Sequence, residues 1–285
     1  YLDLSSPTSA GGLARLRSEG FVFTVARLGH IPTDSGPGHA VILTGRFADT
    51  TGIVGNSWYD RRLGTSVYCV QDSVHGVGPE PLWGYTLGDA LKAGDPQSRV
   101  VAVSLKDRSA IFMGGKRADA ALWYSAKRGE FRSSPYYGTE PSWLEGFNKG
   151  LRAKGGALQD ATTTYMVEIK RTPEADRMVL ELALEAAKRY KMGRDDHPDI
   201  LAVSCPATDY IGHRYGPRSP QMTEQLRRLD MAIGALLDGL ERRVGRGRFD
   251  VVLTSDHGVH PHPEAARRML WDDMTAAMER ALQYD

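Results

Sequence analysis

The chain has 285 residues, with 36 Lys or Arg, 35 Asp or Glu and a formal net charge of +1. This length suits one large domain or two modest ones and is enough to bury a sizeable core. The nearly neutral charge produces no global basic field, so nucleic-acid binding is not indicated. No apolar run approaches the length of a membrane span. The composition leaves the oligomeric state open.

The two cysteines, Cys69 and Cys205, are far apart in sequence and form no CxxC pair. We interpret both as buried, small apolar side chains. The alternative is a disulfide between them, which an oxidising compartment would permit.

Predicted helices and strands alternate along the chain, which favours an α/β fold with a mainly parallel sheet sandwiched by helices. Two long helices carry apolar stripes at helical spacing and are preceded by the capping residues Thr172 and Ser219. The predicted helices cover residues 86–93, 173–192 and 220–244. The predicted buried strands cover residues 99–104, 200–205 and 249–254.

Residues 114–164 have weak periodicity and are rich in Trp, Tyr, Gly, Ser and Lys. We interpret this stretch as a small insertion that caps or flanks a site. Structural packing is the expected role of most of its aromatic side chains.

Ser35 lies in a short segment, residues 33–40, where Pro37 suits the first turn of a helix. The free N–H groups and the positive dipole end of a helix N-terminus favour an anion, such as a serine alkoxide or a phosphate oxygen. A serine hydroxyl is a weak nucleophile until a base or a metal lowers its pKa. This segment alone favours a helix cap, whereas its combination with the acid–histidine pairs described below favours a nucleophile.

Three polar side chains could hold the oxygens of a phosphoryl group. Asn56 lies among turn glycines and can donate from its amide, although a simple turn residue is the alternative. Lys106 and Arg108 follow the predicted strand at residues 99–104, and in an extended chain both would point to the same side. The alternative for these two cations is a solvated loop with an ion pair to Asp107.

Two acid–histidine pairs follow predicted strands. Asp209 and His213 are four residues apart, so one helical turn can bring them to one ion. Asp256 and His257 are adjacent, just after the predicted strand at residues 249–254. Ligands bind beyond the carboxyl ends of strands in open α/β sheets, and two neighbouring metal ions suit displacement at phosphorus. Carboxylate and imidazole favour zinc over manganese or iron.

His260 and His262 follow this second pair directly. They are either additional ligands or exposed loop histidines, and we favour exposed loop histidines.

Five segments together resemble the alkaline phosphatase superfamily, and in order and spacing they are similar to its type I phosphodiesterase / nucleotide pyrophosphatase group. They are residues 35–40, 52–60, 104–111, 209–213 and 254–259. The Lys106-x-Arg108 element resembles the phosphate-irrepressible alkaline phosphatases within that group. The resemblance covers nearly the whole chain. It implies one alkaline phosphatase-like catalytic domain over residues 1–285.

The resemblance implies that Ser35 attacks phosphorus, bridges two zinc ions and forms a phosphoseryl intermediate. The phosphoryl oxygens would be held by Asn56, Lys106 and Arg108. The zinc ligands would be Asp209, His213, Asp256 and His257. A dianionic terminal phosphoryl group has more charge to neutralise than a diester, so the two cations favour a phosphomonoester.

The chain departs from the family pattern in several ways. The family commonly has Thr at the position of Ser35 and His at that of Thr51. It also carries a metal-binding Asp before the segment that residues 1–3 resemble, and a metal-binding His well after His257. Both lie outside this chain, so four of six expected metal side chains are present. We therefore expect an internal part of a longer enzyme, incomplete at both ends.

The leading functional hypothesis is a zinc-dependent phosphomonoester hydrolase acting on small-molecule phosphate esters. The alternatives are a phosphodiesterase or nucleotide pyrophosphatase on the same scaffold, and a catalytically dead phosphate-binding fragment. The chain has no Cys-x-Pro-x-Arg element, which disfavours a sulfatase. A periplasmic or secreted location is implied by the resemblance alone.

Overall fold

A computed structural model describes residues 11–154 and 169–259 of the chain. The first half contains α1 (Gly12–Glu19), α2 (Ser35–Thr44), α3 (Ala48–Thr51), β1 (Ser57–Asp60), β2 (Thr65–Tyr68), β3 (Gln71–Asp72), β4 (Gly76–Val77), α4 (Leu87–Gly94), β5 (Val100–Ser104), α5 (Asp107–Gly114), β6 (Ala120–Ser125) and β7 (Glu130–Arg132). A 3₁₀ turn (Pro135–Tyr137), α6 (Ser142–Lys154), α7 (Pro173–Arg189), β8 (Ile200–Val203), α8 (Ala207–Tyr215) and α9 (Pro220–Val244) follow.

The central sheet has four strands in the order β7-β6-β5-β8. Strands β6 and β8 run parallel to β5, and β7 is antiparallel to β6. The short pairs β1–β2 and β3–β4 form separate antiparallel ribbons. The prediction of a mainly parallel sheet is therefore confirmed.

Helices cover both faces of this sheet, because successive strand side chains point to opposite sides. On one face, Val101 and Val103 pack in a cluster with Val179 and Leu182 of α7. On the other face, Ala121 packs with residues of α2 and α5. The long helix α9 lies against α7. This arrangement confirms the predicted helical layers on both sides of the sheet.

The helix predictions agree closely with the structure. The helix predicted over residues 220–244 has the same bounds as α9, whose first turn is capped by Ser219, which accepts a hydrogen bond from Met222 N. The helix predicted over residues 173–192 ends at Arg189 in α7. A capping box formed by Thr86 and Asp89 begins α4.

The buried strand predicted over residues 249–254 is wrong. Residues 251–254 form no strand, and Val252 is 91% exposed. A strand needs a hydrogen-bonded neighbour, and no strand within residues 11–154 and 169–259 pairs with this segment. The segment nevertheless leads Asp256 and His257 to the edge of the sheet where β5 and β8 end.

The insertion predicted for residues 114–164 differs from the structure over its first part. Strand β6 pairs with β5 and is buried within the central sheet, and β7 extends that sheet. Weak sequence periodicity is expected here because a strand buried on both faces shows little alternation. A capping role for α6 stays a prediction, and residues 155–168 lie outside the described residues.

Both cysteines are free thiols; Cys69 is buried as expected, whereas Cys205 is only half-buried. Burial raises the pKa of Cys69 to about 12, so its side chain remains a neutral packing group. In the described part of the chain, no helix combines the length and the apolar character needed to cross a membrane.

Candidate active site

Ser35 is the first residue of α2 and is almost completely buried. Its Oγ accepts a hydrogen bond from Lys106 Nζ at 3.0 Å and lies 3.5 Å from His257 Nε2. The helix N-terminus adds the positive end of its dipole. The hydroxyl is therefore surrounded by groups that favour its ionised form or an adjacent anion.

Asn56 is held against the start of α2 by two hydrogen bonds. Its Oδ1 accepts from Gly36 N at 2.8 Å, and its backbone N donates to Asp34 Oδ2 at 3.2 Å. A Cβ on Gly36 would lie 3.2 Å from Asn56 Oδ1, so glycine permits this close approach. Because Oδ1 is the acceptor, the remaining amide Nδ2 is a donor, and no described residue accepts from it.

Lys106 occupies the N-cap position of α5, and its side chain is buried. Its Nζ lies 2.5 Å from Asp209 Oδ2 in addition to its contact with Ser35. The lysine therefore connects the reactive hydroxyl to the first acid–histidine pair. A buried ion pair of this kind strongly penalises the loss of either partner.

The segment from Lys106 to Arg108 is not extended as expected, because α5 begins at Asp107 and Arg108 lies in its first turn. Its Nη1 donates to Tyr68 Oη at 3.1 Å, and that hydroxyl donates to Asp107 Oδ1 at 2.6 Å. Its Nε is buried and has no hydrogen-bond partner within the described residues. Arg108 thus lies beside the site with its Nε donor unpaired among the described residues.

The two acid–histidine pairs meet at the end of the sheet. Asp209 and His213 lie one turn apart in α8, with 3.0 Å between Oδ1 and Nε2. The Nε2 atom of His257 lies 3.4 Å from Asp256 Oδ2 and 3.9 Å from Asp209 Oδ1. The tertiary structure therefore places Ser35 beside both pairs, although the His213 side chain is 69% exposed.

The electrostatics of Asp209 favour its ionised form. Burial opposes ionisation, but the nearby His213 imidazole and the Lys106 ammonium outweigh burial and hold the pKa of this carboxyl well below its usual range. The carboxylate thus stays negatively charged at neutral pH.

The four predicted zinc ligands fit a metal ion in their chemistry, although their side chains do not surround one. Among residues 11–154 and 169–259, no three His, Cys, Asp or Glu side chains converge closely enough to hold an ion. However, Asp209 Oδ1 is buried and accepts no hydrogen bond of acceptable geometry, despite its short distance to His213. A buried carboxylate oxygen facing imidazole nitrogens is a donor set that suits zinc. His260 and His262 lie outside the described residues.

His39 is a site residue to which the sequence analysis assigned no role. Its Nδ1 lies 2.8 Å from Ser35 O and 3.3 Å from Asp256 Oδ2, and its Nε2 lies 3.0 Å from Ser204 Oγ. Burial lowers the pKa of His39 in spite of the opposing effect of Asp256, so the neutral imidazole is favoured. The spacing of four residues from Ser35 on one helix face was the available signal.

Asp176 is a second group that the sequence did not single out. Its Oδ1 accepts from Ala207 N at 3.0 Å, and its Oδ2 accepts from Gln225 Nε2 at 2.7 Å. Burial raises the pKa of Asp176 to about 7. This carboxyl anchors the first residue of α8, the helix that carries Asp209. An acidic residue among the apolar positions of α7 was its only signal in the sequence.

Comparisons with known proteins show the family to which the chain belongs. A family model described as type I phosphodiesterase / nucleotide pyrophosphatase matches residues 1–283. The alkaline phosphatase PhoV of Synechococcus elongatus is 33% identical over 91% of this chain and 56% of that protein. The alkaline phosphatase PafA of Elizabethkingia meningoseptica is 33% identical over 87% of this chain and 55% of its own length. The chain thus spans about half the length of these relatives.

Two solved structures share the fold. A crystal structure of wild-type PafA aligns with a TM-score of 0.77 and 30% identity, over 87% of this chain and 57% of that chain. A PafA variant with Thr, Asn, Lys and Arg substitutions aligns with a TM-score of 0.87 and 28% identity, over 98% and 65% of the two chains.

Proposed function

Because the chain belongs to the type I phosphodiesterase / nucleotide pyrophosphatase family, we propose that it contains the catalytic centre of a phosphomonoester hydrolase of the alkaline phosphatase type. The observation that carries the proposal is the buried Ser35 hydroxyl, which lies at a helix N-terminus 3.0 Å from Lys106 Nζ. Relatives that are named alkaline phosphatases support the choice of a monoester.

Ser35 Oγ attacks the phosphorus, forms an O–P bond and displaces the alcohol, which takes up a proton. Lys106 Nζ donates a hydrogen bond to Oγ and so stabilises the alkoxide form of the nucleophile. Asn56 Nδ2, oriented by the bond from Gly36 N to Oδ1, donates to a phosphoryl oxygen. Water then hydrolyses the phosphoseryl group, releases phosphate and restores the hydroxyl.

Two zinc ions form part of the proposal, and Asp209, His213, Asp256 and His257 would hold them together with Ser35. When bound, zinc lowers the pKa of a hydroxyl group and neutralises negative charge as phosphoryl transfer proceeds. The buried, unbonded Oδ1 of Asp209 supports this assignment.

The preference for a monoester over a diester rests on local positive charge. A terminal phosphoryl group carries two negative charges, and Lys106 and Arg108 supply two positive charges at the end of β5. The substituted Thr and Asn of the PafA variant lie 21 positions apart, as Ser35 and Asn56 do, and its Lys and Arg lie two apart, as Lys106 and Arg108 do. This matching spacing supports a shared set of phosphoryl-binding residues.

The proposal is tested with zinc-loaded protein, an aryl phosphate monoester and the corresponding diaryl diester. We expect the monoester to be hydrolysed faster, and acid quenching with a labelled monoester to leave phosphate on Ser35. Ser35→Ala should abolish both signals, whereas Ser66→Ala, at an exposed position of β2, should change neither.

Three outcomes would contradict the proposal. Faster turnover of the diester would favour the phosphodiesterase alternative. Labelling of another residue would remove Ser35 from its role. Phosphate binding without hydrolysis of either ester would favour the inactive phosphate-binding alternative.

A periplasmic or secreted location is also part of the proposal. Its support is the resemblance to the alkaline phosphatases. Immunodetection in cell fractions should place the protein outside the cytoplasm, and a cytoplasmic signal would contradict this location.

A further inference from the structure

A turn before α7 places the ammonium group of Lys170 over the ring of Tyr210. Lys170 follows Ile169, which is buried in the core, and precedes Thr172, the N-cap residue of α7. Ile169 O accepts hydrogen bonds from Thr172 N at 3.0 Å and from Thr172 Oγ1 at 2.8 Å. Core packing and these two bonds therefore hold the backbone of Lys170 in place without any ligand.

Lys170 faces the same aromatic ring as Lys106. The Nζ atom of Lys170 lies 5.8 Å from the centre of the Tyr210 ring, and that of Lys106 lies 4.8 Å from the same centre. Because Lys106 Nζ also contacts Ser35 Oγ, Tyr210 connects the reactive centre to a second cation. The Tyr210 ring thus forms part of the wall between the two ammonium groups.

Asp107, which acts on the charge of Lys170, and Asp209 of the site already have other partners. Asp107 Oδ1 accepts from Tyr68 Oη and Arg108 N, and Asp209 Oδ2 accepts from Lys106. Lys170 makes no hydrogen bond or ion pair with any described residue. Its contact with the Tyr210 ring is a cation–π interaction, which neutralises none of its charge.

The electrostatic surroundings of Lys170 are deficient in negative charge. Burial lowers the pKa of Lys170, Asp107 opposes this effect, and Arg108 and Lys106 lower the pKa further. An anion bound here would relieve the repulsion among the three cations.

We propose that Lys170 and Tyr210 form a second anion subsite, which binds a second phosphoryl group on the leaving group of a phosphate monoester. This inference rests on the proposed function, because it assumes that the first phosphoryl group lies at Ser35. Attack by Ser35 breaks the first ester bond, and the departing alcohol keeps its second phosphoryl group intact. A phosphoryl dianion suits the subsite better than a carboxylate, because it brings two negative charges rather than one to the unpaired ammonium of Lys170.

The test compares three probes that differ in one end group: propane-1,3-diol bisphosphate, its monophosphate and 3-carboxypropyl phosphate. Binding is measured by calorimetry on the zinc-loaded Ser35→Ala chain, because this substitution prevents turnover. We expect the bisphosphate to bind at least about tenfold more tightly than the monophosphate. Adding Lys170→Ala should remove this difference while leaving the affinity for the monophosphate unchanged.

Two further variants separate charge from folding. Lys170→Arg should keep the preference for the bisphosphate, and Lys170→Gln should lose it. Lys188 is the matched control, because it is exposed at the far end of α7, roughly 25 Å along the helix. Lys188→Ala should leave all three affinities unchanged.

Kinetic measurements on the chain with Ser35 intact separate the subsite from the proposed function. Lys170→Ala should raise KM for the bisphosphate about tenfold and leave kcat unchanged for both phosphates. A Lys170-dependent binding preference without hydrolysis would reject the phosphomonoesterase but support the subsite. Hydrolysis without any effect of Lys170 on the bisphosphate would overturn the subsite and leave the phosphomonoesterase intact. Equal effects on the bisphosphate and 3-carboxypropyl phosphate would overturn the assignment of a phosphoryl group.

Discussion

Two aspartates meet the N-terminal turn of α8, the buried Asp176 of α7 and the half-buried Asp209 of α8 itself, and they illustrate how its partners decide the role of a carboxyl group. Asp176 receives hydrogen bonds from an uncharged amide and a backbone N–H, and its pKa is raised by burial to about 7. Burial also opposes the ionisation of Asp209, but His213 and Lys106 lower its pKa.

The difference separates a structural region from a reactive one. Both oxygens of Asp176 accept hydrogen bonds within the protein, so this carboxyl holds α8 in place. Asp209 keeps one oxygen without a hydrogen bond and shares the other with a lysine that contacts Ser35. Substitutions around Asp176 should therefore affect stability first, and substitutions around Asp209 should affect turnover first.

The largest expected effect is a loss of catalysis when Lys106, the ion-pair partner of Asp209, is substituted. Lys106→Gln removes the ammonium that contacts Ser35 Oγ, so kcat/KM for an aryl phosphate should fall by about 100- to 1,000-fold. Steady-state kinetics on the zinc-loaded protein measure this loss. Lys188→Gln is the control, and a loss below tenfold in Lys106→Gln would place Lys106 outside the reactive region.

Substitution of Asp176 should instead lower the free energy of unfolding. Asp176→Ala removes the acceptor of the buried Ala207 N and of one N–H of Gln225 Nε2, which costs about 3 kcal/mol of unfolding free energy. Urea unfolding followed by circular dichroism measures the change. If the variant kept full stability but lost activity, the proposed separation between the two aspartates would be wrong.

Gly38 tests the contact between α2 and the segment that carries the second acid–histidine pair. A Cβ at this position would lie 2.6 Å from Asp256 O, so Gly38→Ala should displace this segment, cost about 2 kcal/mol and reduce turnover. Gly146→Ala in α6 is the matched control, because a Cβ there meets no atom within 4 Å. That control should gain about 0.5–1 kcal/mol from its higher helix propensity. Unchanged activity in Gly38→Ala would argue against a close fit at Asp256.

The smallest expected effect is a dependence on pH. Because the folded-state pKa of Asp176 is raised to about 7, its stabilising contribution is fully present below the unfolded-state pKa and declines as the pH rises towards 7. The stability advantage of the native chain over Asp176→Asn should therefore shrink by about 1.4 kcal/mol between pH 5 and pH 6. Unfolding is measured with a chelator present, which removes the pH dependence of metal binding. A constant difference would contradict the raised pKa.

Local signals predicted the helical part of the fold well. The bounds of α9 follow from a Ser219 cap, a proline in the first turn and Gly245 at the end, all within the segment itself. The segment at residues 249–254 shows the limit of such signals, because its apolar pattern cannot reveal whether a neighbouring strand pairs with it.

The candidate site was predictable in its residue types but less so in its contacts. Ser35, Lys106, Asp209 and His257 lie close together, as the combination of their motifs led us to expect. Arg108 points towards Tyr68 because α5 begins at Asp107, and this turn from strand to helix changes its direction.

The sequence by itself determined the alternation of helices and strands, the position of the serine at a helix N-terminus and the one-turn spacing of Asp209 and His213. These features depend on neighbours within a few residues, so periodicity and capping reveal them. Only the tertiary structure decided that His39 meets Asp256, that Asp176 anchors α8 and that Lys170 faces the Tyr210 ring. Each of these contacts joins residues that are distant along the chain, and their distances and burial arise only when the elements pack together.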